Sequence, residues 1–168
     1  MSPFGLTEEG LKDYRGFPLE QALFRLEIEN TDFSYSLCKW AASIYECNLT
    51  NSKFVGMDFS GRILSRVFEN CNFNNLSLIN GGFNTPKSGL SFINCTFVNT
   101  DFSYSSSKEV NFARCSFENA KMKWTIFSNC TFTECNFKKT KFNNTSFKGS
   151  KFISTKPSDK QLRKTITK

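Results

Sequence analysis

The chain has 168 residues, with 22 Lys+Arg against 15 Asp+Glu, a formal +7, and no His. That length suits one domain. The absence of His removes the side chain most used in general acid–base catalysis, and no apolar run is long enough for a membrane-crossing helix. Phe, at 20 copies, outnumbers both Leu and Ala, so something other than ordinary helix packing selects the apolar residue.

Residues 1–25 read as a capping segment. Their first ten positions include acidic residues and no apolar run, which does not fit a secretory leader. Thr7-Glu8-Glu9 is expected to open a short helix, and Pro18 suits the first turn of a second one, PLEQALFRL. Leu23, Phe24 and Leu26 would then press on whatever follows.

From residue 26 the apolar residues keep a period of five. Ile28 and Phe33 start it, and Cys38 takes the next slot. Ile44, Leu49, Phe54 and Phe59 form a second block, and Ile63, Phe68, Phe73, Leu78 and Phe83 a third. Pro86 and Gly89 mark a surface loop between Phe83 and Phe92. A long block follows: Phe92, Phe97, Phe102, Phe112, Phe117, Phe127, Phe132, Phe137, Phe142, Phe147 and Phe152, with Ser107 and Met122 in the two slots that lack Phe. Two places before each central residue the side chain is small, as at Cys95, Thr100, Ser105, Cys115, Ala120, Thr125, Cys130, Cys135, Thr140 and Thr145; Arg66, Leu76, Met57 and Leu90 break this rule. A large and a small residue two apart face one narrow interior. A period of five is neither that of a strand nor that of an α-helix. It fits a chain that turns a corner every five residues, and Phe112 is expected to stack on Phe92 and Phe132, twenty residues away on either side.

The pattern [Cys/Ser/Thr/Ala]-x-Phe-x-x, as in Cys130-Thr-Phe132-Thr-Glu, Cys135-Asn-Phe137-Lys-Lys and Thr140-Lys-Phe142-Asn-Asn, resembles the pentapeptide-repeat family over residues 26–154. The resemblance implies an all-β fold, a right-handed quadrilateral β-helix of about six coils, here with a short N-terminal helical cap. Residues 155–168 are expected to form a basic tail or a short helix, because Ser158-Asp-Lys-Gln161 has the form of a capping box, with Leu162 and Ile166 on one helical face.

Candidate chemistry is sparse. Cys95, Cys115 and Cys135 should stack inside the tube as small hydrophobes. A straight ladder without His does not converge on a tetrahedral metal site, so no metal, cofactor or catalytic residue is assigned. Seven Cys, an odd number, do not read as a disulfide framework and point to a reducing, cytoplasmic compartment. The Asn-x-Ser/Thr triplets at Asn48, Asn94, Asn129 and Asn143 follow from the repeat itself. Charge is the informative feature of the surface. Residues 1–120 carry 10 basic and 13 acidic side chains, whereas residues 121–168 carry 12 and 2. Lys121, Lys123, Lys138, Lys139, Lys141, Lys148 and Lys151 are the candidate partner-binding residues, with Lys121 beneath Lys141 and Trp124 the exposed aromatic among them.

The resemblance implies a non-enzymatic protein-binding module. Members of the family include quinolone-resistance proteins and the immunity protein of a gyrase-targeting microcin, negatively charged rods that engage a type II topoisomerase; others are host-directed effectors. The partner could be a topoisomerase, a toxin or a host protein. This chain departs from those rods in its basic C-terminal coils, and its tail lacks the apolar segment by which they dimerise, so a monomer or an end-to-end dimer is expected. The alternatives are an electrostatic binder of nucleic-acid backbone through the lysines and a bare structural scaffold.

Overall fold

The computed structural model describes residues 5–166 apart from 20–22, 25–26, 39–43, 46–47, 54, 56–61, 65–66, 76–77, 80–81 and 84–88. The chain winds as a parallel β-solenoid with four walls. The first wall is a seven-stranded sheet built from Glu27–Glu29, Asn48–Thr50, Val67–Glu69, Leu90–Ile93, Val110–Ala113, Thr131–Thr133 and Lys151–Ile153. The second is tied by Lys12–Asp13 on Thr31–Asp32 and then by bridges running from Asp32 through Lys53, Asn72, Thr96 and Ser116 to Asn136. The third carries Pro18–Leu19 on Leu37–Cys38 and, further on, Lys121–Lys123 on Lys141–Asn143. The fourth carries Leu23–Phe24, Ile44–Tyr45, Arg62–Leu64 and Gly82–Phe83, then Ser106–Lys108, Ile126–Ser128, Thr145–Ser146 and Thr165–Ile166. Every pair of named strands is parallel, because each wall is revisited once per coil.

Three side-chain rules produce this shape. The first is the central ladder. Phe68, Phe92, Phe112, Phe132 and Phe152 stack with ring centroids 4.8, 5.2, 5.0 and 5.2 Å apart and planes within 15° of parallel. Phe73, Phe97, Phe117 and Phe137 form a second such column at 4.9, 5.1 and 5.4 Å. Neighbouring columns meet edge to face, as Phe112 and Phe117 do at 5.3 Å and 76°. Both geometries suit the ring quadrupole, and the separations match the rise of one strand per coil.

The second rule concerns the small residue. Its hydroxyl or thiol donates to a main-chain carbonyl one coil back. Thr100 Oγ1 lies 2.7 Å from Phe73 O, Thr125 Oγ1 2.8 Å from Phe102 O and Thr140 Oγ1 2.8 Å from Phe117 O. The thiols of Cys95, Cys115 and Cys135 reach Phe68 O, Phe92 O and Phe112 O at 3.3–3.4 Å. A short polar side chain suits this slot because it ties each coil to a buried carbonyl of the one before, even where that carbonyl also accepts a backbone N–H, as Phe102 O does from Ser105 and Phe117 O from Ala120.

The third rule lies two residues after each central one, where φ falls between 50° and 60° in the non-Gly residues. Asn tolerates this left-handed region best among residues with a side chain, and it fills nine of the 17 such positions. The abundance of Asn is therefore a backbone requirement as well as a solvent preference.

The helical N-terminal cap is overturned. Leu6 and Lys12 bridge antiparallel, and Gly10 turns the chain between them at φ 78°, so Thr7-Glu8-Glu9 lies in a tight hairpin. Pro18–Leu19 and Leu23–Phe24 are strands paired with Leu37–Cys38 and Ile44–Tyr45. Pairing with the next coil overrides the weak helical propensity of this stretch. Tyr14, 5.3 Å from Phe33 between ring centroids, acts as a central residue of that first coil. Leu26, the slots at Phe54 and Phe59, the rule-breakers Met57, Arg66 and Leu76, and the loop around Pro86 lie outside the described residues.

At the other end a capping box forms. Ser158 Oγ accepts from the Gln161 backbone N–H, and Gln161 Oε1 accepts from that of Ser158, opening the helix Asp159–Leu162. That helix stops after one turn. Thr165–Ile166 then pairs with Thr145–Ser146, so Ile166 sits on a strand and does not share a helical face with Leu162. Residues 157–166 keep the twenty-residue register: Pro157 is buried twenty places after Phe137, and Leu162 follows Phe142 by the same interval. Lys151–Ile153 closes the first wall.

Candidate functional site

Among the described residues the interior is filled by stacked rings and small buried side chains. Cys71, Cys95, Cys115, Cys130 and Cys135 are buried. Burial raises the Cys95 thiol above its ordinary range and pushes Cys130 up to about 11. Thiols kept neutral by burial in this way pack and donate weakly. Among the described residues no group of three or more His, Cys, Asp or Glu stands close enough to hold a metal ion. Ser107, in a central slot, is fully buried and accepts from the Phe83 N–H at 3.3 Å.

The charged side chains stand on the outer walls. There the side chains flanking each central residue point away from the core, as the exposed–buried–exposed pattern of Lys121–Lys123 and of Lys141–Asn143 shows. Lys121 and Lys141 lie directly in register on the third wall, with Lys123 beside them. Lys139 occupies the left-handed corner where the second wall meets the third, at φ 57°. Lys138 is round that corner on the second wall, its Nζ 3.4 Å from Glu118 Oε1. Lys148 follows Phe147 on the fourth wall. Lys151 opens the last strand of the first wall, which faces away from the third. The structure thus gathers Lys121, Lys123, Lys139 and Lys141 and separates Lys148 and Lys151 from them.

The tail adds cations that the repeat reading did not assign to this wall. Lys160 and Lys164 line, with Thr140, Lys141, Phe142, Asn143 and Gln161, a shallow depression of about 240 Å³ at the end of the third wall. Continuing the twenty-residue register past Lys141 and Asn143 would have placed Gln161 and Arg163 beneath them. Asp101, with its Oδ2 3.6 Å from Lys121 Nζ, sets an acidic side chain into this wall, and Asp159 opens the helix that carries Lys160.

Beside these lysines is an exposed apolar corner. Tyr104 and Trp124 hold successive left-handed positions between the third and fourth walls, at φ 60° and 55°. Both are about half exposed, as is Ile126 on the adjoining edge of the fourth wall. Lys123 Nζ lies 5.5 Å from the centre of the Tyr104 ring, a cation–π contact. Tyr104 escaped the reading of the sequence because its slot faces outward and takes no part in the apolar period.

Residues 88–129 and 130–156 match the family model of pentapeptide repeats, in eight copies. Among curated proteins nothing matches the chain. Among solved structures, a trypsin-treated variant of QnrB1, a plasmid-mediated fluoroquinolone resistance protein, is 15% identical, with 77% of this chain and 73% of that chain covered and a TM-score of 0.40. HetL, a pentapeptide repeat protein involved in heterocyst differentiation regulation in the cyanobacterium Nostoc, is 11% identical over 84% of this chain and 87% of that one, with a TM-score of 0.21. A pentapeptide repeat protein of the Arabidopsis thaliana thylakoid lumen is 16% identical over 90% and 68%, with a TM-score of 0.25. The family match falls on the coils where stacked rings, small donors and left-handed corners recur together, and residues 88–156 are built of pentapeptide repeats.

Proposed function

We propose that this chain is a non-enzymatic binding module that holds a partner protein against the third wall of its C-terminal coils, in a reducing cytoplasmic setting. The observation that carries the proposal is the gathering of Lys121, Lys123, Lys139, Lys141, Lys160 and Lys164 along one side of a rod whose interior is filled. Like charges in register on adjacent strands destabilise a sheet. Lys121 opposite Lys141 is thus an arrangement that folding alone does not favour. Clustered cations favour an acidic partner and speed its approach.

The test is capture from the native cell with three forms of the full chain: wild type, Lys121→Glu/Lys139→Glu/Lys141→Glu, and Lys151→Glu on the opposite wall. A protein retained by the first and third and lost from the second supports the proposal. Capture unchanged by the triple reversal overturns it. Duplex-DNA affinity that collapses with salt and with the triple reversal would instead favour binding to the nucleic-acid backbone. For a topoisomerase partner the direct test is a gyrase supercoiling assay with and without quinolone; neither protection nor inhibition at micromolar protein would remove that partner.

A further inference from the structure

Left-handed backbone is where this fold most restricts the side chain. A bulky residue at positive φ is disfavoured, and sequence choices that contradict the backbone concentrate at functional sites. Asn or Gly would suit the corner between the third and fourth walls, and the following coil indeed has Asn144 at φ 55°. Two successive coils carry Tyr104 and Trp124 there instead, and the rings go half into solvent rather than into the core. Beside Trp124, Ile126 is 47% exposed on a strand whose neighbours in register are Ser106 and Ser146. Three large apolar side chains thus share one edge, bordered by Lys123, with Lys121 and Lys141 two residues back along the third wall. Nothing in the ladder, the donor rule or the corner rule asks for any of them.

From this juxtaposition we infer that the Tyr104–Trp124–Ile126 edge is the anchor of the interface, and that it takes an acidic protein segment carrying apolar side chains among its carboxylates. The inference rests on the binding wall proposed above and names what that wall recognises. Tyr and Trp are the residues that most often dominate binding energy at interfaces, where surrounding polar contacts exclude water. Charge complementarity selects carboxylates for the lysine side of the edge. The occupant is a protein rather than a single-stranded nucleic acid for two reasons. Stacking of bases needs free ring faces, and the Lys123 ammonium lies over Tyr104. Ile126 adds an aliphatic surface that matches an apolar side chain and gives a base no ring to stack on.

The test uses the full chain and three fluorescent probes: a peptide of about 15 residues alternating Glu with Phe and Leu, one of equal charge alternating Glu with Ser, and an oligothymidylate of similar length. Binding is followed by anisotropy at about 0.1 M salt. The apolar acidic peptide is expected to bind about tenfold more tightly than its Ser counterpart, the size of effect that one or two anchor residues produce. Tyr104→Asn/Trp124→Asn is expected to erase that preference while raising the melting temperature, because Asn relieves the corner; a merely structural role predicts the opposite shift. Lys121→Glu/Lys141→Glu should weaken both peptides together. Equal binding of the two peptides, or a preference that survives the double Asn variant, overturns the inference and leaves the charged wall standing. Tighter binding of the oligothymidylate, lost in the double Asn variant, replaces the protein segment with nucleic acid. Binding of neither peptide at millimolar concentration sinks both readings.

Discussion

Each repeat sets three demands on single residues, and each can be tested one side chain at a time. Phe112 is fully buried between Phe92 and Phe132, with rings 5.2 and 5.0 Å away. Phe112→Ala is expected to lower unfolding free energy in urea by about 3–5 kcal/mol, the usual loss for a buried ring. The small-residue slot gives a finer contrast. Thr125 Oγ1 donates to Phe102 O at 2.8 Å, whereas Ser105 Oγ, equally buried, has no hydrogen-bond partner. Thr125→Ala should therefore destabilise by about 1–2 kcal/mol, since it removes a buried hydrogen bond and leaves a small void. Ser105→Ala should be neutral or slightly stabilising in the same titration, because it removes a desolvated hydroxyl that has gained nothing.

Among the elements, the C-terminal segment is held by very few contacts. Gln161 Nε2 donates to Phe137 O at 2.8 Å and to Thr140 O at 2.9 Å, closing carbonyls that a further coil would otherwise meet. Gln161→Ala is expected to remove about 1–3 kcal/mol of local stability, read as faster amide exchange across residues 155–166 with the coils at Phe92–Phe117 unaffected. The rings, the Cys column and the Lys121–Lys141 register were legible in the sequence because the period of five repeats without a slip after Phe92. The N-terminal coil was not. There Tyr14, Leu19 and Leu23 stand in place of Phe at intervals of five and four, and a stretch such as PLEQALFRL has enough helix formers to mislead when pairing with the next coil is out of view. At the candidate site, the lysine column was legible from register alone. The dispersal of Lys148 and Lys151 to other walls, the arrival of Lys160 and Lys164, and the exposure of Tyr104 depended on how the chain turns its corners and returns at the tail.

For the whole molecule, stability is a sum over neighbouring coils, and the rod has two unlike halves. The acidic excess lies in residues 1–120 and the basic excess beyond them, so the molecule presents a charged C-terminal wall on a frame whose described interior is filled by side chains. That division of labour requires the core to be closed. It is tested by mapping maleimide modification of the native chain by peptide mass spectrometry, against the same chain in guanidinium. Cys71, Cys95, Cys115, Cys130 and Cys135 are expected to remain unmodified in the native chain long after the denatured chain has reacted completely. Rapid native modification anywhere along the Cys95–Cys115–Cys135 column would show an open interior and contradict the assignment of function to the outer wall.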